Sequence, residues 1–342
     1  MNWLNLLSSI YETICFLVSC AKIIIEGIVR ACIPVKFQMK DIQGEIALVT
    51  GGGGGLGRLL ALRLANLGVI VVVWDINQEG IEETVKLVQA AGGTCYGYVC
   101  DLCNREDIYK KAALLREEVG KVSILINNAG VVNGMKFCET PDYLLKRTMD
   151  VNIMSHFWTV KAFLPAMMES NKGHIVSIAS MAGYAGIPKL VDYCTSKHAV
   201  LGFDEGLRIE LEYEGYDNIN TTAICPYFIR STAMFGNRYY GSLPQLSPNE
   251  VAETTITSLR CNRKLVMIPS YFQFFVPFKW IFPWPCTSKL FRTMVKDILP
   301  DYEKNDKSTD NNKTTEIPVK DQDDSAIHQQ LTRHSSCSER EP

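Results

Sequence analysis

Between residues 44 and 270, short apolar runs alternate with longer stretches whose apolar residues recur at helical spacing. Seven of the runs read as strands: Glu45 to Thr50, Val69 to Trp74, Thr94 to Cys100, Ser123 to Asn127, Gly173 to Ser180, Asn218 to Cys225 and Leu265 to Ile268. Hydrophobicity that is continuous along a run, rather than alternating, belongs to strands covered on both faces. Strand and helix in regular alternation predict an α/β fold, a single doubly wound parallel sheet with right-handed crossovers. Ligands of such sheets bind beyond the carboxyl ends of the strands. No internal repeat at solenoid periods is visible.

The two ends follow other patterns. Residues 1–33 are rich in Leu, Ile, Val, Cys and Trp, but Glu12, Lys22, Glu26 and Arg30 hold every uncharged run short of the ~20 residues of a plain membrane span. At ~100° per residue these charges fall within an arc of about 80°, with Asn5, Ser8 and Ser19 in or beside it. The pattern predicts a membrane-anchor helix that lies in the interface or packs as a hairpin. An oblique spanning helix and a core helix of a soluble protein are the alternatives. A basic n-region and a small-residue cleavage site are missing, which argues against a signal peptide. Residues 34–43 read as a linker. Residues 271–284 carry aromatics broken by prolines, so a long regular helix is excluded there. Over 271–300 this composition suits a headgroup region or the wall of an apolar substrate entrance, with core packing as the plainer reading. From Asp301 the chain turns polar and low in aromatics, which predicts a disordered tail over 301–342.

The chemistry sits between these ends. The first strand runs into glycines from Gly51 to Gly55, then Leu56 and Gly57, and a helical stretch from Arg58 that closes on Gly68. Strand, glycine turn and helix in that order make a phosphate cradle, because bare backbone can approach a pyrophosphate and the first helical N–H groups point at it. Asp75 ends the second strand, where a carboxylate can accept both hydroxyls of a ribose and repel a 2′-phosphate. That favours NAD over NADP, with Arg58 as the one cation that keeps NADP open. Further along, Tyr193 and Lys197 are four apart on a predicted helix and share a face. The ammonium beneath the phenol would lower a pKa ordinarily near ~10 and make Tyr193 a usable base. Ser180 ends the fifth apolar run, at the strand end where ligands bind.

These residues resemble the short-chain dehydrogenase/reductase superfamily: Thr50 with Gly51, Gly55 and Gly57, then Asp101, Asn127 to Gly130, Asn152, Ser180, Tyr193 and Lys197, all in order. The likeness covers about residues 44 to 270 and implies a Rossmann domain. Trp74 to Asn77, Val151 to Ile153 with His156 to Trp158, Ala162 to Pro165, and Cys225 to Phe228 are similar to its membrane-bound, 16C-type branch. That branch holds epidermal retinol dehydrogenases and lipid-droplet 17-beta-hydroxysteroid dehydrogenases. The resemblance implies Tyr193 as acid/base, Lys197 as its modulator and a ribose ligand, Ser180 as donor to the substrate oxygen and Asn152 as holder of a relay water. It places the cofactor against Gly51, Gly55, Leu56, Gly57, Asp75, Asp101, Asn128, Ala129, Gly130, Lys197, Pro226, Ile229 and Ser231. Pro226 is followed by Tyr227 where the family commonly has glycine, and Ser231 and Thr232 compete for the nicotinamide contact.

Composition changes this picture little. With 35 basic and 37 acidic residues and a net charge of −2 there is no basic footprint for nucleic acid. Twelve cysteines scattered through strands and helices are no secreted disulfide framework. The lone Cys100/Cys103 pair, without a second pair or a histidine cluster, is read as neither metal nor redox site. The expectation is an oxidoreductase on the endoplasmic reticulum membrane or lipid droplets, facing the cytosol, that moves hydride from a long apolar alcohol to NAD. Retinol is the leading substrate and a steroid or other lipid alcohol the runner-up. A non-catalytic membrane scaffold is the rival from another class, and a homodimer is left open.

Overall fold

A computed structural model of the chain describes residues 3–230 and 244–294. The tail expected to be disordered, 301–342, lies outside the described residues, as do Ser231 and Thr232. The described chain begins with α1 (Trp3–Cys32), then alternates β1 (Ile46–Thr50), α2 (Gly55–Asn66), β2 (Ile70–Asp75), α3 (Gln78–Ala90), β3 (Cys95–Val99), α4 (Arg105–Glu118) and β4 (Ile124–Asn127). There follow α5 (Asp142–Met149), α6 (Ser155–Ser170), β5 (Gly173–Ile178), α7 (Val191–Tyr213), β6 (Ile219–Pro226), α8 (Pro248–Arg260) and β7 (Leu265–Ile268). The last elements are α9 (Phe272–Phe275), α10 (Phe278–Ile281) and α11 (Trp284–Met294), so the prolines do divide the aromatic segment into short helices.

All seven strands are parallel, in the order β3-β2-β1-β4-β5-β6-β7. The order reverses between β1 and β4, which is the switch point at which such sheets bind ligands. Each face is covered as the continuous apolar runs require. Along β2, Val71 and Val73 pack with Leu60 and Leu64 of α2 and Val251 and Leu259 of α8, while Val72 and Trp74 point the other way. Trp74 meets Phe163 of α6 at 5.7 Å between rings, beside Ile108 and Leu115 of α4.

The linker after α1 is pinned to the sheet. Lys40 exchanges two hydrogen bonds with Arg260, through its amide to the Arg260 carbonyl (2.8 Å) and through its own carbonyl to Arg260 Nε (3.0 Å). Its ammonium lies 2.9 Å from His174 Nδ1, and His174 Nε2 lies 2.8 Å from the Thr222 hydroxyl. These contacts sit at the amino ends of β5 and β6, away from the carboxyl ends. Every described side chain of α1 except Cys20 is exposed, apolar ones included. Among the described residues no helix is long and apolar enough to cross a membrane.

Candidate active site

The glycine loop folds backbone against backbone. A Cβ on Gly57 would lie 2.1 Å from the Gly51 carbonyl oxygen, and one on Gly51, whose φ is +65°, would lie 2.9 Å from Ala129 Cα. Helix α2 starts at Gly55, three residues before the start expected at Arg58, and its N-cap Gly54 supplies no side-chain acceptor. Gly54 to Gly57 line a cavity of about 660 Å³, leaving first-turn amides to meet an anion there. Asn128 holds the loop rather than reaching into the cavity with its amide: its Nδ2 donates to the Thr50 carbonyl (2.9 Å), and its backbone N–H donates to the Thr50 hydroxyl (3.0 Å). Ala129 and Gly130 line the cavity beside it.

Asp75 lines the same cavity and accepts from the Gly53 amide (2.9 Å) and the Asn77 amide (3.0 Å), one on each oxygen. A carboxylate offers about four acceptor positions, so a diol still finds two. Arg58 is turned away: it binds Glu83 at 2.7 Å, the Thr84 hydroxyl at 3.0 Å and the Gly53 carbonyl at 2.8 Å. Asp101 lines the far end with Cys100, Leu102 and Cys103. A side-chain-free cradle, uncapped helix amides and a diol-sized carboxylate fit a dinucleotide.

Tyr193 and Lys197 stand one turn apart on α7, both buried, and Ser180 sits just beyond β5, where its hydroxyl accepts from the Ala182 amide (3.1 Å) and hydrogen-bonds the Tyr193 phenol. All three line the cavity. The electrostatics correct the expectation drawn from spacing. Burial pushes the Tyr193 phenol up to about 12, against a lowering by the Ser180 hydrogen bond. Lys197 does not offset it, because its ammonium donates to the Ile178 carbonyl at 2.8 Å and lies 5.7 Å from the Tyr193 ring centroid. Burial also brings Lys197 down to about 8. Asn152 sits in a π-helical turn, Asp150–Met154, and its side chain is bound to the Val131 amide (2.8 Å), the Val131 carbonyl (2.9 Å) and the Ser196 hydroxyl (3.0 Å). It braces the strand end, and any relay water would have to meet its main chain.

Pro226 and Ile229 line the cavity as expected. Several further residues complete the wall. Tyr227 stacks on Phe272 (5.4 Å, 29°) and meets Phe228 edge-on (5.0 Å, 86°), and Phe275 and Val276 continue the wall outward. Lys279 ties this segment down by donating to the Tyr184 carbonyl at 2.9 Å. Asn133 and Arg147 also line the cavity, the Asn133 amide binding Asp192 (2.7 Å) and Thr148 (2.9 Å). The branch resemblance pointed to Tyr227 and Phe228 and the aromatics of 271–284 to Phe272 and Phe275, while nothing pointed to Asn133 or Arg147.

The chain is similar to known proteins over this whole region. A family model described as short chain dehydrogenase matches residues 45–241. Short-chain dehydrogenase/reductase family 16C member 6 of Bos taurus is 46% identical over 251 residues, 72% of this chain and 78% of the relative. Epidermal retinol dehydrogenase 2 of Homo sapiens is 43% identical over 264 residues (76% and 84%), and 17-beta-hydroxysteroid dehydrogenase 13 of Homo sapiens is 39% identical over 274 (80% and 90%). A short-chain dehydrogenase/reductase from Burkholderia phymatum, solved with NAD, superposes with a TM-score of 0.64 at 27% identity, covering 71% of this chain and 95% of that one.

Proposed function

Because the chain belongs to the short-chain dehydrogenase family and is an oxidoreductase acting on lipid alcohols with a nicotinamide dinucleotide, we propose that its substrate is retinol, oxidised to retinal with NAD at a membrane surface. The observation that carries this reading is the shared cavity. One cavity is lined by the glycine cradle and Asp75, by Tyr193 and Ser180, and by the aromatic residues Tyr227, Phe228, Phe272 and Phe275. A long apolar alcohol suits a cavity that joins reacting groups to an aromatic wall. A steroid alcohol is the second reading, favoured by the likeness to 17-beta-hydroxysteroid dehydrogenase 13.

A dinucleotide held by the glycine cradle and Asp75 would supply the hydride acceptor. Ser180 donates to the substrate oxygen and orients it against Tyr193, which takes the hydroxyl proton in oxidation and returns it in reduction. At about 12 the phenol is an acid, suited to reduction; oxidation needs the Lys197 charge drawn against it. Asp75 accepts the ribose diol, and Arg58, committed to Glu83, is withdrawn from a 2′-phosphate, which supports NAD. Exposed apolar residues along α1, such as Ile14, Phe16, Ile24 and Ile28, support attachment to the endoplasmic reticulum or lipid droplets.

The deciding experiment measures turnover of retinol and of a 17-beta-hydroxysteroid by membranes containing the chain, with NAD and NADP compared. Retinal formation preferring NAD is expected. Steroid turnover alone would move the substrate to the second reading, and a preference for NADP would overturn the role given to Asp75.

A further inference from the structure

Behind β5, whose Ile178 carbonyl accepts from Lys197, three buried polar side chains have no use in the chemistry above. Asn127 ends β4 and pairs in register with Ser177 of β5, so both point to the same face of the sheet. That face is covered by α6, because Asn127 Oδ1 accepts from the Thr159 hydroxyl at 2.9 Å. One turn before Thr159 lies His156, whose ring meets Phe203 of α7 edge-on at 6.2 Å between centroids. Exposure is 1% at Asn127, 0% at Ser177 and 1% at His156. Among the described residues Asn127 Nδ2, the Ser177 hydroxyl and both ring nitrogens of His156 have no hydrogen-bond partner.

Four unpartnered polar atoms among the buried side chains of β4, β5 and α6 are more than a folded core tolerates. A buried water needs two to four polar partners, and these side chains offer an amide donor, a hydroxyl and an imidazole. We infer that Asn127, Ser177 and His156 hold internal water between the sheet and helices α6 and α7, and that His156 is thereby a positioning residue for the alcohol reaction. Its route to the site is short. Ser177 is joined by one peptide bond to Ile178, whose carbonyl accepts from Lys197, and Asn127 by one to Asn128, which holds the glycine loop. Water bound at the inner side of these two strand ends fixes the backbone from which Lys197 and the cofactor cradle hang. Burial keeps the imidazole neutral, with Lys197 adding to the same shift, so one ring nitrogen donates and the other accepts.

The inference rests on the reading of Lys197 and Tyr193 as the reacting pair only for its activity arm. The full chain would be purified in detergent and crystallised with NAD at high resolution, and His156→Leu, His156→Gln and Ser177→Ala compared. Expected are a density peak within hydrogen-bond distance of Asn127 Nδ2 and the His156 ring, and a lower melting temperature for His156→Leu and Ser177→Ala. His156→Leu should lose roughly tenfold in kcat, the effect of one lost buried hydrogen bond, with KM for NAD unchanged, and His156→Gln, which keeps a donor and an acceptor, should recover most of it. A dry pocket, with Ser177→Ala melting at or above the native temperature, would overturn the proposal even if His156→Leu failed to fold. A native kcat in a well-folded His156→Leu would remove the positioning role. Turnover surviving in Tyr193→Phe would instead sink the functional reading and leave the water site standing.

Discussion

Tyr193→Phe keeps the ring packing and removes the proton carrier, so turnover should fall by roughly 10²–10⁴-fold while NAD binding, followed by fluorescence titration, stays near native. Lys197→Ala should lose both. Charge states set a second expectation. Cys95, Cys100, Cys225, Tyr184 and Tyr193 are each pushed up to about 12 by burial. A group whose folded pKa is raised stabilises below its ordinary value and loses that contribution as pH rises toward the folded value. Lys40 and Lys197, both lowered to about 8, act in the opposite sense between there and their ordinary 10.5. With Tyr98, Cys103 and Cys194 also pushed up by burial, the raised groups outnumber the two lysines, so the melting temperature should fall steadily once pH passes about 9, where the unfolded chain's thiols begin to ionise. A flat profile to pH 11 would contradict the burial of these groups. The roles of Ser180, Tyr193 and Lys197 came from the family resemblance, while their positions were legible, Ser180 as the end of an apolar run and Tyr193 and Lys197 as one helix face. Their protonation was not, because it depends on what surrounds that face.

Glycines carry the sharpest test among the elements. In Gly57→Ala the added methyl meets the Gly51 carbonyl, which cannot move without shifting β1, so a loss of about 1–3 kcal/mol of stability is expected. NAD affinity should fall with it, by calorimetry and denaturant titration. At the other cofactor contact, Asp75→Ala combined with Ile76→Arg should move preference toward NADP, read from the two cofactor Michaelis constants. All seven strands were legible within a residue or two; β1, β2 and β4 announce themselves as buried apolar runs, whereas the edge strand β3 is mostly exposed. Helix α2 begins earlier than its apolar pattern because glycine carries no pattern, yet Gly55 already has the first helical turn. The π turn at Asp150–Met154 had no signal at all. It accompanies the bonds of Asn152 to Val131, a contact 21 residues away in sequence that local reading cannot see.

For the whole molecule the open matter is what α1 touches. Its apolar surface was legible as a stripe opposite four charges, and the fold leaves that surface exposed. Fused to a soluble fluorescent protein, residues 1–33 should be sufficient to reach the endoplasmic reticulum or lipid droplets. Half a dozen inserted apolar side chains at roughly 1.5 kcal/mol each outlast salt, which screens only charge. A fusion that stays diffuse, or that high salt alone releases, would remove the membrane assignment. The cavity's aromatic wall was less legible, because Tyr227 and Phe272 come together only when β6 and β7 pair.

The seam where the cavity opens is also the one the chain must wait for. Strand β1 can meet β2 early, but its other edge stays bare until Ile124–Asn127 has been made and has found its register. Pairings across so much intervening chain come late and slowly, since loop closure must be met before contacts compensate it. The glycine loop and Asp75 therefore form on a half-sheet that has no cleft. NAD added to refolding chain should leave the refolding rate unchanged and slow unfolding instead, a difference that stopped-flow fluorescence with and without the nucleotide would resolve.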